Sequence, residues 1–329
     1  MNVLIFIQWP VDAWSIPGAK VTQLRERFPA LTFVHTRDRE ATLREIPDAD
    51  VCFTPFLNAE MVGAAHRLRW VHSPAAAVEG LLPLHELAAR GITVTNSRGV
   101  QSVPIAEHVM GGLLVLGRRF DRTLRAQREH QWIQNDLSRD GTWPFLLRGR
   151  RMTIVGLGTI GEAIAARAHA FGIEVTGVRR HPELPRPSYV ERVVGPEQLD
   201  DALRGCDFLV LSAPGVASTT RMIGERQLSL LNRGAVLVNV ARAQIVDDAA
   251  MRAALASGQL GGAVLDVFER EPLDPSDALW DLPNVIITPH SSGFRESHWD
   301  DVTALFIENL ERFQRGEVLL NPVNLGAGY

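Results

Sequence analysis

Met152-Thr153-Ile154-Val155-Gly156-Leu157-Gly158-Thr159-Ile160-Gly161, followed by the helix-forming run Glu162–Phe171, is the stretch on which the reading of this chain turns. A short apolar, β-branched run leads into Gly-x-Gly-x-x-Gly, and helix-compatible residues lead out of it. In that setting each glycine has a reason. The first permits a tight turn, the second lets the backbone approach a pyrophosphate, and the third lets helix and strand pack closely. The helix N-terminus then faces the phosphate charge. A glycine-rich structural turn is the plainer alternative, but the strand before and the helix after favour dinucleotide binding through Gly156, Gly158, Thr159, Ile160 and Gly161.

The next strand, expected over Ile173–Val178, ends in Arg179-Arg180-His181, and no carboxylate follows before Glu183. Sites for NAD commonly place an acidic residue here to accept from the ribose 2′-hydroxyl, and it would repel a 2′-phosphate. Guanidinium groups would instead bind that phosphate through charge-assisted hydrogen bonds. The expectation is therefore NADP as the preferred cofactor, with NAD as the alternative and with Arg179 and Arg180 as the discriminating residues. The plainer reading is that two arginines solvate a strand end.

Working outward, the same alternation runs both ways. Before the glycine motif, Val3–Ile7, Thr32–His35, Val51–Thr54, Trp70–His72 and Thr93–Thr95 read as buried parallel strands, with helical stretches at Lys20–Phe28 and Asn58–Leu68. After it, Phe208–Ser212, Ala235–Asn239, Ala263–Leu265 and Val285–Thr288 repeat the pattern, separated by Glu225–Leu231 and Asp247–Ser257. Such alternation implies right-handed βαβ units and an α/β fold with two doubly wound parallel sheets. Ile105, Val109, Leu113 and Leu116 mark a long buried helix in which Gly111 and Gly112 would permit close approach. Val302, Leu305, Phe306, Leu310 and Phe313 share one face of a C-terminal helix. Residues 118–148, dense in Arg, Asp and Glu with Trp132, Gly141, Trp143 and Pro144 interspersed, read as an arm or interface segment.

Composition narrows the function classes. With 34 basic and 38 acidic residues the net charge is −4, which argues against a nucleic-acid binder. Cys52 and Cys206 stand far apart and form neither a disulfide framework nor a metal-ligand spacing, and Glu107-His108 point in different directions on a helix, so no metal site is expected. The opening apolar run, Val3 to Ile7, is too short and wrongly flanked for a signal peptide or a membrane span. A cytoplasmic protein with no membrane partner is the expectation.

Three residues fall where strands should end: Arg242 after Ala235–Asn239, Glu271 in Leu265-Asp266-Val267-Phe268-Glu269-Arg270-Glu271-Pro272, and His290 in Thr288-Pro289-His290. Open α/β sheets bind ligands beyond the carboxyl ends of their strands, so these side chains converge. A histidine can exchange a proton near neutrality, a carboxylate can orient it, and an arginine fork suits a carboxylate and a carbonyl oxygen. Singly, each is more often structural. Following a dinucleotide motif, they read as a catalytic set, with Glu269 as a competing carboxylate.

At this point the chain resembles the D-isomer-specific 2-hydroxyacid dehydrogenases, through Thr95-Asn96-Ser97-Arg98-Gly99-Val100, Ala106-Glu107-His108, the glycine motif, Ala241-Arg242, Leu265–Pro272 and Thr288-Pro289-His290. The resemblance implies a Rossmann dinucleotide-binding domain, 100–290, inserted into a discontinuous flavodoxin-like substrate domain, 1–99 and 291–329. It assigns Arg242, Glu271 and His290 as catalytic. It adds cofactor contacts at Ala213, Pro214, Thr219, Val240, Ala241 and Asp266, the last on the nicotinamide carboxamide. It also makes 118–148 a homodimer arm, from which Trp143 would reach toward a partner's site. The implied activity is reduction of a small 2-oxo acid to the D-2-hydroxy acid, in the manner of a glyoxylate or hydroxypyruvate reductase.

The chain departs from the family pattern at Ser73-Pro74-Ala75-Ala76-Ala77-Val78-Glu79, where the family's carboxylate-binding loop usually carries glycines. Backbone N–H groups of Ala76 and Ala77 can serve a substrate carboxylate, beside Arg242, if the loop avoids positive φ. A bulkier 2-oxo acid is the first alternative substrate. A cofactor-sensing corepressor without catalysis is the alternative from another class, and retention of Arg242, Glu271 and His290 argues against it. A formate enzyme of this fold would carry glutamine where Glu271 stands.

Overall fold

The computed structural model describes residues 1–139 and 143–326. Residues 140–142 of the expected arm, the Gly141 breaker among them, lie outside the described residues. The chain divides into two compact units. One comprises Met1–Gln101 and the stretch from Phe294 onward, and the other is Ser102–Gly293. No helix among the described residues is long and apolar enough to cross a membrane.

The smaller unit is built on five parallel strands among its described residues: β1 (Asn2–Phe6), β2 (Thr32–Thr36), β3 (Val51–Phe53), β4 (Trp70–Ser73) and β5 (Thr93–Asn96). They lie in the order β2-β1-β3-β4-β5, the flavodoxin-like arrangement, whose direction reverses between β1 and β3. The two-residue period of a strand sends Val3 and Ile5 to one face and Leu4 to the other, and each face buries its own core. Chain discontinuity follows from one of these cores. The helix His298–Arg315 returns to place Phe306 on Phe53 at 4.1 Å and on Trp70 at 5.3 Å, nearly parallel in both cases. Val302 and Leu310 are buried beside it. Burying one such aromatic side chain stabilises by about 1.5–3 kcal/mol.

The larger unit carries seven parallel strands among its described residues: β6 (Arg151–Val155), β7 (Glu174–Val178), β8 (Arg192–Val194), β9 (Phe208–Leu211), β10 (Ala235–Asn239), β11 (Leu260–Leu265) and β12 (Val285–Ile287). Their order is β12-β11-β10-β9-β6-β7-β8, so the sheet is doubly wound about a switch point between β6 and β9. Ile154, Val210, Val238 and Val264 face the helices Ser102–Gly117 and Thr159–Ala170, while Leu209, Leu211, Leu237 and Leu265 pack on the opposite side. A Cβ on Gly112 would come within 2.8 Å of the Val264 side chain, which explains the close helix–sheet contact there. Gly111 takes no part in it; its Cβ would meet nothing within 4 Å.

β8 was not foreseen. Only three residues long and at the sheet edge, it pairs with β7 through Thr176–Val178, and so short a run carries no periodic signal. Residues 118–148 form helices at Phe120–Arg128 and Asp136–Arg139.

Candidate active site

The glycine loop shows which of its positions the fold itself requires. Gly156 has φ +103°, and a Cβ there would sit 2.4 Å from the Ala213 nitrogen; a Cβ on Gly161 would sit 2.3 Å from the Gly156 carbonyl oxygen. The loop after β6 could not otherwise approach the loop after β9 on one side or the first turn of the helix Thr159–Ala170 on the other. Gly158 differs, because a Cβ there would meet nothing within 4 Å. The protein has no internal use for its missing side chain, whereas a pyrophosphate lying against the backbone would. Gly158 caps the helix, so the first-turn N–H groups of Thr159, Ile160 and Gly161 have no intrahelical acceptor and offer an anion site. The residues present therefore fit a dinucleotide.

Along the same sheet edge, Ser212 donates to the Gly156 carbonyl at 2.9 Å and holds the loops after β6 and β9 together. Ala213 is buried beside it. Thr219 spends its hydroxyl inside its own loop, donating to the Pro214 and Val216 carbonyls and accepting from the Val216 N–H. The two arginines after β7 separate. Arg179 donates to the carbonyls of Leu184 and Pro185, bracing the loop that follows, and lies 3.8 Å from Glu162. Arg180 is exposed.

The three expected catalytic residues occupy the carboxyl ends of three adjacent strands, β10, β11 and β12. Asn239, the last residue of β10, accepts from the Ala241 N–H and donates to the Arg242 carbonyl, which turns the buried Val240–Ala241 pair and presents Arg242. Gly215 leaves room for the Arg242 side chain, to which a Cβ would come within 2.7 Å. Glu271 accepts from the Phe268 N–H at 3.0 Å with one oxygen and contacts His290 Nδ1 at 2.8 Å with the other. That contact leaves Nε2 as the ring nitrogen available for proton transfer. Glu269, the competing carboxylate, has no such contact with His290 among the described residues.

Asp266 is fully buried and accepts from Thr288 Oγ1 at 2.6 Å and from the N–H groups of Ser291 and Ser292 at 2.9 and 3.0 Å. The expected carboxamide partner thus presents no exposed surface and is committed to the His290 loop. Sequence reasoning had no signal for this, since the bonds join residues more than 20 positions apart.

In the smaller unit, the loop after β4 resolves the question raised by its alanines. None of Ala75, Ala76 and Ala77 has positive φ. Their carbonyls are held instead: Ser97 N–H donates to Ala75, Asn96 Nδ2 to Ala76 at 2.7 Å and Ser73 Oγ to Ala77 at 2.9 Å. No hydrogen bond among the described residues uses the N–H groups of Ala76 or Ala77. Beneath the loop, Trp70 Nε1 donates to Thr95, His72 bridges Thr95 at 2.7 Å and Ser97 at 3.2 Å, and Ser97 donates to the Ser73 carbonyl. Burial pushes His72 down to about 3, so it is neutral, and the bonds define it as the Nε2–H tautomer.

Comparison with known proteins bears on the fold and the family. Residues 110–292 match the family model described as D-isomer specific 2-hydroxyacid dehydrogenase, NAD binding domain. The chain is 33% identical over 320 residues to a glyoxylate reductase of Thermococcus kodakarensis, covering 94% of each protein. It is also 33% identical over 319 residues to a glyoxylate reductase of Pyrococcus furiosus, covering 94% of this chain and 93% of that one. Among solved structures, a D-isomer specific 2-hydroxyacid dehydrogenase from Xanthobacter autotrophicus Py2, in complex with NADPH and MES, superposes with a TM-score of 0.82 at 28% identity over 99% of both chains.

Proposed function

The chain belongs to the D-isomer specific 2-hydroxyacid dehydrogenase family, and from that premise we propose that it reduces a two- or three-carbon 2-oxo acid, glyoxylate or hydroxypyruvate, with NADPH preferred. The observation that carries the reading is the Glu271–His290 pair at 2.8 Å, on the sheet edge that also carries the glycine loop.

When bound, the nicotinamide cofactor supplies the hydride that reduces the carbonyl carbon. His290 holds a proton at Nε2 and delivers it to the carbonyl oxygen, while Glu271 keeps the ring oriented through Nδ1. Arg242 stays charged throughout and holds the substrate through its planar fork. Ala76 and Ala77 offer backbone N–H groups to a substrate carboxylate. The glyoxylate reductase relatives support the small-acid assignment, and the NADPH-bound relative supports the cofactor. Arg180 carries the phosphate-binding role, with Arg179 shaping the loop beside it.

A bulkier acid has one observation in its favour: Trp9 and Phe56 are exposed on the loops after β1 and β3, at the smaller sheet's switch point. The homodimer is proposed through 118–148, where Phe120, Leu124, Trp132, Trp143 and Leu146 are all exposed, a density of exposed apolar side chains along one segment that suits an interaction surface.

Initial rates of NADPH and NADH oxidation against glyoxylate, hydroxypyruvate, pyruvate, 2-oxoisocaproate and phenylpyruvate test the reading. Fast NADPH-linked turnover of the first two is expected, and His290→Ala should lower it about 10²–10⁴-fold while cofactor binding persists. A preference for the last two acids would transfer the assignment to a bulky substrate, and silence with every acid would remove it.

A further inference from the structure

We infer that Asp266, with Thr288 and His108 behind it, is a positioning residue that sets the backbone of the loop carrying His290 and thereby aims its imidazole; the inference rests on the reading of His290 as the acid–base group. His290 has φ +51°, in the left-handed region that residues other than glycine seldom adopt. Such a conformation persists only where its surroundings impose it. Here the two N–H groups directly after His290, those of Ser291 and Ser292, are both captured by the Asp266 carboxylate. On the other side of His290, Thr288 donates its hydroxyl to the same carboxylate. Asp266 therefore grips the loop before and after the histidine.

The relay behind it has a defined direction. Thr288 must donate to a carboxylate, so its lone pair takes the N–H of His108 Nε2, 3.2 Å away. His108 stands on the helix Ser102–Gly117. Burial lowers its proton affinity, with the Asp266 charge acting the other way. The relay thus ties the His290 loop to the buried helix that packs on the sheet.

Asp266 and Glu271 lie five residues apart on the segment that leaves β11. One segment consequently holds His290 at two points, with Asp266 fixing the backbone and Glu271 fixing the ring. The ring contact alone would leave the imidazole free to swing with its loop.

The experiment compares Thr288→Val, Thr288→Ser and His290→Ala for kcat, for KM of the 2-oxo acid and for NADPH affinity by fluorescence titration. Thr288→Val removes the hydroxyl at nearly constant volume. It should lower kcat about 10- to 100-fold through misplacement of the acid, with NADPH affinity within about twofold. Thr288→Ser, which keeps the hydroxyl, should restore turnover. Unchanged kcat in Thr288→Val beside an inactive His290→Ala would overturn the positioning role and leave the acid–base reading standing. Unimpaired turnover in His290→Ala would overturn the acid–base reading itself. If Thr288→Val binds no cofactor, Asp266→Asn decides by the same measurements: lost kcat with retained NADPH affinity supports the inference, and unchanged kcat refutes it.

Discussion

Two loops of this protein present backbone N–H groups beyond the carboxyl ends of strands, and they do it by opposite means. The loop after β6 relies on missing side chains: Gly156 sits at positive φ, and neither it nor Gly161 has room for a Cβ. The loop after β4 has alanine where the family resemblance leads one to expect glycine, keeps φ negative, and obtains its shape from Ser73, Asn96 and Ser97, which hold its carbonyls. Glycine is thus needed where the chain must turn tightly against a neighbouring strand. Where Ser73 Oγ, Asn96 Nδ2 and the Ser97 N–H pin the carbonyls, no glycine is needed, and the N–H groups of Ala76 and Ala77 enter no hydrogen bond among the described residues.

Substitutions can break that contrast. Gly156→Ala should have the largest effect, since a Cβ would collide with Ala213 in a conformation alanine resists; roughly 2–5 kcal/mol of destabilisation is expected, read by urea melting, together with loss of cofactor binding. Asn96→Ala removes one anchor under the other loop. Losing that hydrogen bond is worth about 1 kcal/mol, so KM for the 2-oxo acid should rise about fivefold to tenfold while NADPH affinity holds. An unchanged KM would mean that the loop keeps its shape without its anchors. Ala76→Gly should do least. It adds only backbone freedom, about 0.5–1 kcal/mol at most, and a gain in activity would show that the alanine loop is held in a poorer geometry than a glycine loop.

The sequence was most legible where local chemistry and global fold coincide. The alternating strands and helices, the glycine loop and the apolar face of the C-terminal helix follow from periodicity and turn residues, and both doubly wound sheets stand as read; that this helix returns Phe306 to the first core was implied by the family resemblance alone. Legibility failed where the deciding contact was distant or the element too short. β8 is three residues long. Arg179 and Arg180 are neighbours in sequence, yet only the structure distinguishes the one that braces a loop from the one that is exposed. Asp266 could be placed by resemblance at the site, but its hold on Ser291 and Ser292 depends on how the chain returns through β12.

The order of strands in the larger sheet bears on redesign. Arg180 follows β7 and His290 follows β12, and between those strands lie β6, β9, β10 and β11. Five strand spacings amount to roughly 24 Å along the sheet, about three Debye lengths at physiological ionic strength. Reversing the charge at Arg180 would therefore be screened from the Glu271–His290 pair. On the proposed reading, cofactor choice and acid–base chemistry are electrostatically separate modules on one sheet edge, so one can be retuned by selection or engineering without detuning the other.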